Sequence, residues 1–132
     1  MDDSYDVWEA SFEPGNRRII FAAAKTGQPE LYSFDLATMT VTPTPIHGPA
    51  RSPAFSPDGR WLAYSRCERG TWQLYVSSLG GASTRRLTAS DCNSISPAWE
   101  ADSQRIIYAT DCGRGLGMTA LARIGLFPPR SD

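Results

Sequence analysis

Residues 53–66 read PAFSPDGRWLAYSR, and this stretch decides the fold. Similar stretches stand 43 residues earlier, ASFEPGNRRIIFAA at 10–23, and 44 residues later, PAWEADSQRIIYATD at 97–111. In this register Phe12, Phe55 and Trp99 coincide. A period of about 40 to 45 residues with several short strands per unit is typical of a β-propeller blade. The repeat therefore predicts an all-β fold built of propeller blades.

The middle repeat predicts the four strands of one blade, at residues 52–56, 60–65, 72–76 and 84–88. Pro57-Asp58-Gly59 is a tight turn, since proline presets φ, aspartate caps the turn and glycine accepts a positive φ. CERGT at 67–71 reads as a loop. The first repeat follows the same course, but the third stops after three strands because Phe127-Pro128-Pro129-Arg130 cannot supply a normal fourth. We expect eleven strands and no helix.

SPAFSPDGRWLAYSR followed by QLYVSSLGGASTRRLT resembles the propeller repeat of the TolB-like family, WD-repeat-like units with an SPDG turn. The first and third repeats carry EPGN and EADS in place of that turn. The resemblance implies a propeller of usually six blades. This chain would hold three repeats of the four-stranded type, half of that ring. We place the blades at about 8–46, 50–90 and 94–127, within one partial propeller over 1–132.

Three blades do not close a ring, and an open half-ring would leave two apolar blade faces bare. Three solutions remain open: the chain is the end of a longer propeller, two copies pair head to tail as a homodimer, or the fragment persists open. The segment Tyr5-Asp6-Val7-Trp8 could complete the third blade as its outer strand, or it could be a frayed terminus.

The net charge of −1 gives no general attraction to nucleic acid or to anionic membranes. No apolar run reaches the roughly 20 residues needed to cross a bilayer, so we expect no membrane insertion. The start, MDDSYDVWE, lacks the basic and apolar regions of a secretion signal. Either the protein stays inside the cell or the chain begins within a longer precursor. We expect the second, and with it a periplasmic or other extracytoplasmic location.

Cys92 and Cys112 flank a predicted hairpin whose turn is centred near Asp102-Ser103. Antiparallel pairing would place the two cysteines opposite each other, within disulfide range. A disulfide here would imply an extracytoplasmic compartment. The alternative is two small buried thiols packed across a strand pair. In either case Cys67 is left over.

Strand order brings the loops richest in charge to one side of the blades, at residues 25–29, 46–51, 66–71, 89–93 and 111–117. The TolB-like resemblance implies that this side and the channel mouth bind protein partners. The expected partner-binding residues are Arg51, Arg66, Arg69, Asp91, Asn93 and Arg114. Arg69 and Arg114 occupy matching loops and could receive a carboxylate together, or each could bridge to Glu68 or Asp111 in its own loop. Three hydroxyls are expected to line the channel: Ser52, Ser94 and Ser96.

Catalysis finds little support in the sequence. His47 is the single histidine, and no G-x-S-x-G elbow presents a nucleophile. No C-x-x-C pair, calcium loop or phosphate-binding loop is present either. We therefore expect a non-catalytic module without cofactor or metal that docks a protein or peptide. The alternatives are the propeller lid of a prolyl-oligopeptidase-type peptidase, with a hydrolase domain beyond Asp132, and the sensor domain of a membrane regulator, with a transmembrane segment before Met1.

Overall fold

The computed structural model describes residues 6–15, 17–24, 27–78, 83–89, 91–112 and 120–126. These residues form eleven β-strands and no helix. Blade 1 consists of β1 (Asp6–Phe12), β2 (Arg18–Ala24), β3 (Pro29–Asp35) and β4 (Thr40–Pro43). Blade 2 consists of β5 (Ala50–Phe55), β6 (Trp61–Glu68), β7 (Thr71–Ser78) and β8 (Thr84–Arg86). Blade 3 consists of β9 (Ser94–Trp99), β10 (Arg105–Thr110) and β11 (Ala120–Gly125).

Each blade is one antiparallel sheet whose strands follow chain order from the first to the last. This is the meander of a propeller blade, because neighbouring strands joined by short turns pair with each other. The all-β class, the three blades and the strand number predicted from the repeat are confirmed in the described part of the chain.

The segment 66–71 is not the loop that the sequence predicts. β6 continues to Glu68 and β7 begins at Thr71, so only Arg69 and Gly70 form the turn. Their φ angles are +52° and +81°. Two positive φ angles are what a two-residue hairpin of type I′ requires, and the twist of this turn matches that of the flanking strands. Arg66 therefore belongs to a strand.

The segment around Trp8 is neither a closing strand of blade 3 nor a frayed end. From Asp6 onward it forms β1, and it pairs with β2 from Asp6 opposite Ala24 to Phe12 opposite Ile19. The pairing extends the innermost strand beyond the repeat motif, which begins at Ala10. Tyr5 lies outside the described residues.

A β-bulge interrupts the innermost strand of every blade at the same place in the repeat. The register shifts after Trp8 in β1, after Arg51 in β5 and within β9. The residues at these points have positive φ angles although none is glycine: Glu9, Ser52 and Ser96. Such a bulge adds one residue to a strand and bends it. The backbone of the inner strands thus repeats even where the residue types do not.

The core lies between the blades. Ile20, Ala22 and Leu31 of blade 1 pack against blade 2 residues that include Phe55 and Tyr64. In the next interface, Ala63 and Leu74 of blade 2 pack against Ile106 of blade 3, with Trp99, Tyr108 and Ile124 beside it. Burial of these side chains supplies the main driving force that holds successive blades together.

Hydrogen bonds between neighbouring blades recur at nearly the same spacing as the repeat. The Phe55 N–H donates to Ser11 Oγ at 3.2 Å, and Trp99 Nε1 donates to the Ala54 carbonyl at 2.9 Å. In blade 3, Ser103 replaces the turn glycine with a φ of +58°, and its hydroxyl accepts a bond from the Asp58 N–H at 3.1 Å. The serine therefore joins two blades, which a glycine at that place could not do.

Candidate functional site

All odd-numbered strands begin on one side of the blades, since each strand is antiparallel to the one before it. We call this side the loop face. It carries the turn at 69–70 and, between blades, the connection 44–49 and the described residues 87–89 and 91–93. Loops on a rigid scaffold are the usual place for recognition. The opposite side carries the turns around Gly15, Gly59 and Ser103.

A cleft opens on the loop face between blades 1 and 2, with a volume of about 250 Å³. We call it the mouth cleft, and its lining residues are Trp8, Glu9, Pro29, Arg51 and Trp72. They lie among the first four residues of β1, β3, β5 and β7, at the end of each strand that borders the loop face. Trp8 is 46% exposed. Two tryptophans beside an ion pair can hold an apolar side chain and orient a charged one.

Arg51 stands at the centre of the contacts in the mouth cleft. Its Nε donates to Glu9 Oε1 at 3.0 Å, and its guanidinium lies 5.7 Å from the centre of the Trp72 ring. The second Glu9 oxygen accepts a bond from Ser52 Oγ at 2.6 Å. Of the three guanidinium nitrogens of Arg51, only Nε donates a hydrogen bond to a described residue. The two terminal nitrogens are therefore available to a carboxylate.

A second depression of about 530 Å³ lies farther out on the loop face of blade 2. We call it the outer depression, and its lining residues are Glu68, Arg69, Thr71, Gln73, Arg86 and Asp91. Arg86 pairs with Glu68 at 3.2 Å. The expectation that Arg69 bridges to Glu68 is therefore wrong, because the carboxylate is held by a residue of β8. Arg69 and Asp91 are both exposed.

Arg66 and Asn93, two of the six expected binding residues, make contacts with neighbouring parts of the scaffold. The Arg66 guanidinium lies 5.8 Å from the centre of the Tyr75 ring, within its own blade. Asn93 joins three segments: its Oδ1 accepts from the Trp72 N–H at 3.0 Å, and its side-chain and backbone nitrogens donate to Asp111 at 2.9 and 2.7 Å. These bonds lower the pKa of the Asp111 carboxyl, the side-chain bond from Asn93 most.

The remaining expected positions are distributed as follows. Ser52 and Ser94 are buried between blades, so the prediction that they line the channel is wrong; Ser96 alone of the three is exposed. The Ser94 carbonyl accepts a bond from Ser65 Oγ of blade 2. Arg114 lies outside the described residues, and its pairing with Arg69 stays a prediction. The structure thus places Arg51 in one cavity and Arg69 with Asp91 in another.

Cys92 and Cys112 form a disulfide, with their Cα atoms 5.1 Å apart. The pairing of β9 with β10 stops at Ser94 opposite Thr110. Cys92 lies two residues before Ser94 and Cys112 two residues after Thr110, so both cysteines lie just past this end of the pairing. The same two segments are joined by the bonds between Asn93 and Asp111. Cys67 is a free, half-buried thiol in β6.

Sequence reasoning did not find Trp8, Glu9 or Trp72 as site residues. The sequence predicts a closing strand or a frayed end at Trp8, gives Glu9 no role, and predicts Trp72 only as part of a strand. A usable signal was present, because Trp72 and Pro29 occupy equivalent places 43 residues apart at the start of a third strand. Both positions border the loop face, in blades 1 and 2. No cluster of three or more potential metal ligands occurs among the residues that the structure describes.

Antiparallel sheets of three or four strands that repeat and pack face to face define the chain as part of a β-propeller. The family model of the TolB beta propeller domain matches residues 10–115. The chain therefore belongs to the TolB β-propeller family, as the SPDG repeat suggested. No helix in the described part of the chain is long and apolar enough to cross a bilayer.

Two curated relatives and one solved structure illustrate the similarity. The Tol-Pal system protein TolB of Anaeromyxobacter dehalogenans strain 2CP-1 is 31% identical over 89 residues, which cover 67% of this chain and 20% of the relative. The uncharacterized peptidase YuxL of Bacillus subtilis strain 168 is 39% identical over 118 residues, covering 83% of this chain and 18% of the relative. The chain thus spans about a fifth of the length of either protein.

The structure of the putative TolB from Agrobacterium tumefaciens superposes with a TM-score of 0.82 at 17% identity. The match covers 95% of this chain and 47% of that one. At this identity the likeness establishes the fold alone, and the present chain corresponds to about half of the length of the solved chain.

Proposed function

We propose that this chain is a non-catalytic binding module that holds a protein or peptide segment at the loop face, in the mouth cleft. The observation that carries the proposal is the grouping of Trp8 and Trp72 with the Arg51–Glu9 pair around one open cavity. The tryptophans offer apolar contact area, and the terminal nitrogens of Arg51 offer donors to a carboxylate. The preferred ligand is a peptide that presents an apolar side chain next to an acidic group.

Panning a random peptide library on the immobilised 132-residue chain tests this proposal. We expect Trp8→Ala and Arg51→Ala to weaken the selected peptides about tenfold or more, as central aromatic and arginine contacts do. The matched control is Arg60→Ala, an exposed arginine on the opposite side of the blade. Equal affinities for all three variants, each folded by circular dichroism, would contradict a site in the mouth cleft.

The outer depression is the second place on the loop face where a partner could bind, as the sequence-based choice of Arg69 and Asp91 suggests. Arg69→Ala and Asp91→Ala test it with the same peptides. If only these two substitutions weaken binding, the protein-binding role stands but its site is the outer depression. If neither pair does, binding at the described part of the loop face is excluded.

A second candidate function is the propeller of a peptidase, and the 39% identity to the peptidase YuxL favours it. The shared segment is propeller only, so the peptidase activity would belong to a hydrolase domain elsewhere in the same gene product. Sequencing the gene on both sides of this segment decides the matter. A flanking hydrolase domain with a G-x-S-x-G elbow supports the peptidase, and flanking regions without one exclude it. The third interpretation, a sensor domain, predicts a transmembrane segment upstream in the same sequence.

We further propose an extracytoplasmic, periplasmic location, supported by the Cys92–Cys112 disulfide, since such bonds persist in oxidising compartments. The relatives named TolB are consistent with this proposal. Alkylation of the protein in intact cells, followed by mass spectrometry, measures the redox state. We expect Cys67 to be alkylated and the other two cysteines to be protected until a reductant is added. Alkylation of all three without reductant would contradict an oxidising location.

A further inference from the structure

A crevice of about 120 Å³ opens between blades 1 and 2, and we call it the inter-blade crevice. No described residue lines both this crevice and the mouth cleft or the outer depression. One wall is formed by β2, β3 and β4 of blade 1, and the other by β5, β6 and β7 of blade 2. Its apolar side chains include Ile20, Phe55 and Leu62, and its hydroxyl groups belong to Ser33, Thr42, Thr44, Ser77 and Ser78.

The next interface, between blades 2 and 3, is filled at the equivalent place. The strand registers pair Ser33 with Thr42 in blade 1 and, 43 residues later, Val76 with Arg85 in blade 2. Val76 is 0% exposed, and Arg85 Nη1 donates to the carbonyl of Leu126, just after β11, at 2.9 Å. The crevice therefore results from the smaller residues of blade 1, because the same arrangement of strands is closed one blade later.

Two more hydroxyl residues of the crevice follow the same rule. Thr44 lies 43 residues before Leu87, and Ser77 aligns with Ile124 in the equivalent strands β7 and β11. Leu87 and Ile124 both pack against the apolar cluster between blades 2 and 3. The interface between blades 1 and 2 thus carries four hydroxyl groups where the next carries a valine, an arginine, a leucine and an isoleucine. Hydroxyl groups taken out of water need polar partners, since burying them unbonded costs free energy.

Two of these four hydroxyl groups have no partner in the described part of the chain. Those of Thr44 and Ser77 are hydrogen-bonded within the protein. Those of Ser33 and Thr42 make no hydrogen bond to a described residue. Ser33 is only 8% exposed. Because no fully buried polar side-chain atom of the described residues lacks a partner, the Ser33 hydroxyl is open to the crevice that the residue lines.

We propose that the inter-blade crevice binds a small uncharged polyol, with adjacent hydroxyl groups of the ligand bonded to Ser33 and Thr42. A hydroxyl group both donates and accepts, so another hydroxyl group is its complement. Ser33 and Thr42 are cross-strand partners, whose Cβ atoms lie about 5 Å apart, and this spacing suits neighbouring hydroxyl groups of one ligand. The apolar wall with Phe55 and Leu62 covers the carbon chain.

Charge and volume narrow the class of ligand. Arg18 is the only charged residue among the described residues that line the crevice, and both its Nε and its Nη2 donate to Glu13 Oε2, at 3.1 and 2.6 Å. Because this pair is neutral as a whole, an anionic ligand gains little from it. A water molecule occupies about 30 Å³, so the crevice has room for about four waters or for one molecule of about three or four carbon atoms.

Titration of the isotope-labelled 132-residue chain with glycerol, followed by two-dimensional NMR, tests the proposal. We expect saturable shifts of the amides around Ser33, Thr42 and Ser77, with a dissociation constant on the order of millimolar for a ligand of this size. Lactate is the matched probe, since it has as many non-hydrogen atoms as glycerol but carries a charge. It should bind about tenfold more weakly or less, because its carboxylate loses water without a free cation to pair with. Equal affinities for the two probes overturn the assignment to an uncharged ligand.

Three variants separate binding in the crevice from a general effect of the solvent. Ser33→Val fills the space as Val76 does one blade later, so it should abolish the saturable shifts in a protein whose spectrum stays that of a folded chain. Ser33→Ala keeps the space but removes the hydroxyl group, and it should weaken binding about fivefold. The control, Thr38→Val, removes an exposed hydroxyl group outside the crevice and should leave binding unchanged. Shifts that stay linear with glycerol concentration, or that persist undiminished in either Ser33 variant, overturn the proposal and leave a crevice that holds water only.

Discussion

At the scale of single residues, the contacts between blades show why similar repeats carry different side chains. Trp99 and Phe55 stand at the same place, but the indole of Trp99 adds a hydrogen bond from Nε1 to the Ala54 carbonyl. Ser103 likewise adds a bond that the equivalent Gly59 cannot make. The repeat sets the backbone, and individual side chains add contacts across particular interfaces.

Trp99→Phe tests one such contact. The substitution keeps an aromatic ring but removes the donor to the Ala54 carbonyl, so we expect a loss of about 1 kcal/mol in the free energy of unfolding. Trp8→Phe is the control, since Trp8 is nearly half exposed, and it should change the free energy of unfolding by less than about 0.5 kcal/mol. Urea denaturation measures both. Equal effects would mean that the inter-blade hydrogen bond contributes nothing.

The Asp111 carboxyl predicts a pH dependence of stability. The hydrogen bonds from Asn93 hold its folded pKa below the ordinary value of 3.8, so its contribution is present above the unfolded pKa. That contribution is lost as the pH falls below 3.8 and through the lower folded value. Melting curves of the wild type and Asp111→Asn between neutral and strongly acidic pH measure the effect. The variant should lose less stability on acidification, and parallel curves would exclude a role for Asp111.

At the scale of the strands, turn chemistry explains how long the strands of blade 2 are. β6 and β7 are eight residues each because the turn between them uses only Arg69 and Gly70. Gly70 supplies one of the two positive φ angles, but Arg-Gly is not among the dipeptides that signal a two-residue hairpin, and the sequence predicts a five-residue loop here. The bulges at Glu9, Ser52 and Ser96 were not readable from the sequence either, since none of the three is a glycine.

Gly70→Ala tests the turn. At a φ of +81° a Cβ atom is strained although no other atom crowds it, and we expect a loss of about 1 kcal/mol in unfolding free energy. Arg69→Asn is the matched change in the same turn. Asparagine before glycine is favoured in type I′ turns, so this variant should be at least as stable as the wild type. Thermal melts that rank the two variants the other way round would rule out this turn conformation.

At the scale of the whole molecule, stability resides in the surfaces between blades. Each sheet alone has two broad apolar faces, and stacking them removes those faces from water. Blade 2 is the only blade with a neighbour on both sides within the described structure. Blades 1 and 3 each leave one face open, and this difference decides which equivalent residues contribute to the stability of a single chain.

Leu74→Ala and Leu121→Ala compare the same place in two blades. Leu74 is fully buried, so its truncation should cost about 3 kcal/mol of unfolding free energy. Leu121 is 78% exposed, and its truncation should cost less than about 0.5 kcal/mol at dilutions where the chain is monomeric. Chemical denaturation at low protein concentration measures both. Similar costs would show that blade 3 is covered even in the monomer.

The sequence by itself determined the repeat, the strands and most of the turns, and through them the TolB β-propeller family. These features follow from local alternation, from turn residues such as Pro57-Asp58-Gly59 and from a fixed period, all of which are written in neighbouring residues. Only the tertiary structure shows that Arg66 and Asn93 contact other parts of the scaffold while Arg51 borders an open cleft. It also shows that Leu121 is exposed whereas the equivalent Leu74 is buried. Those outcomes depend on which groups face each other across blades some 43 residues apart, and no local pattern records that.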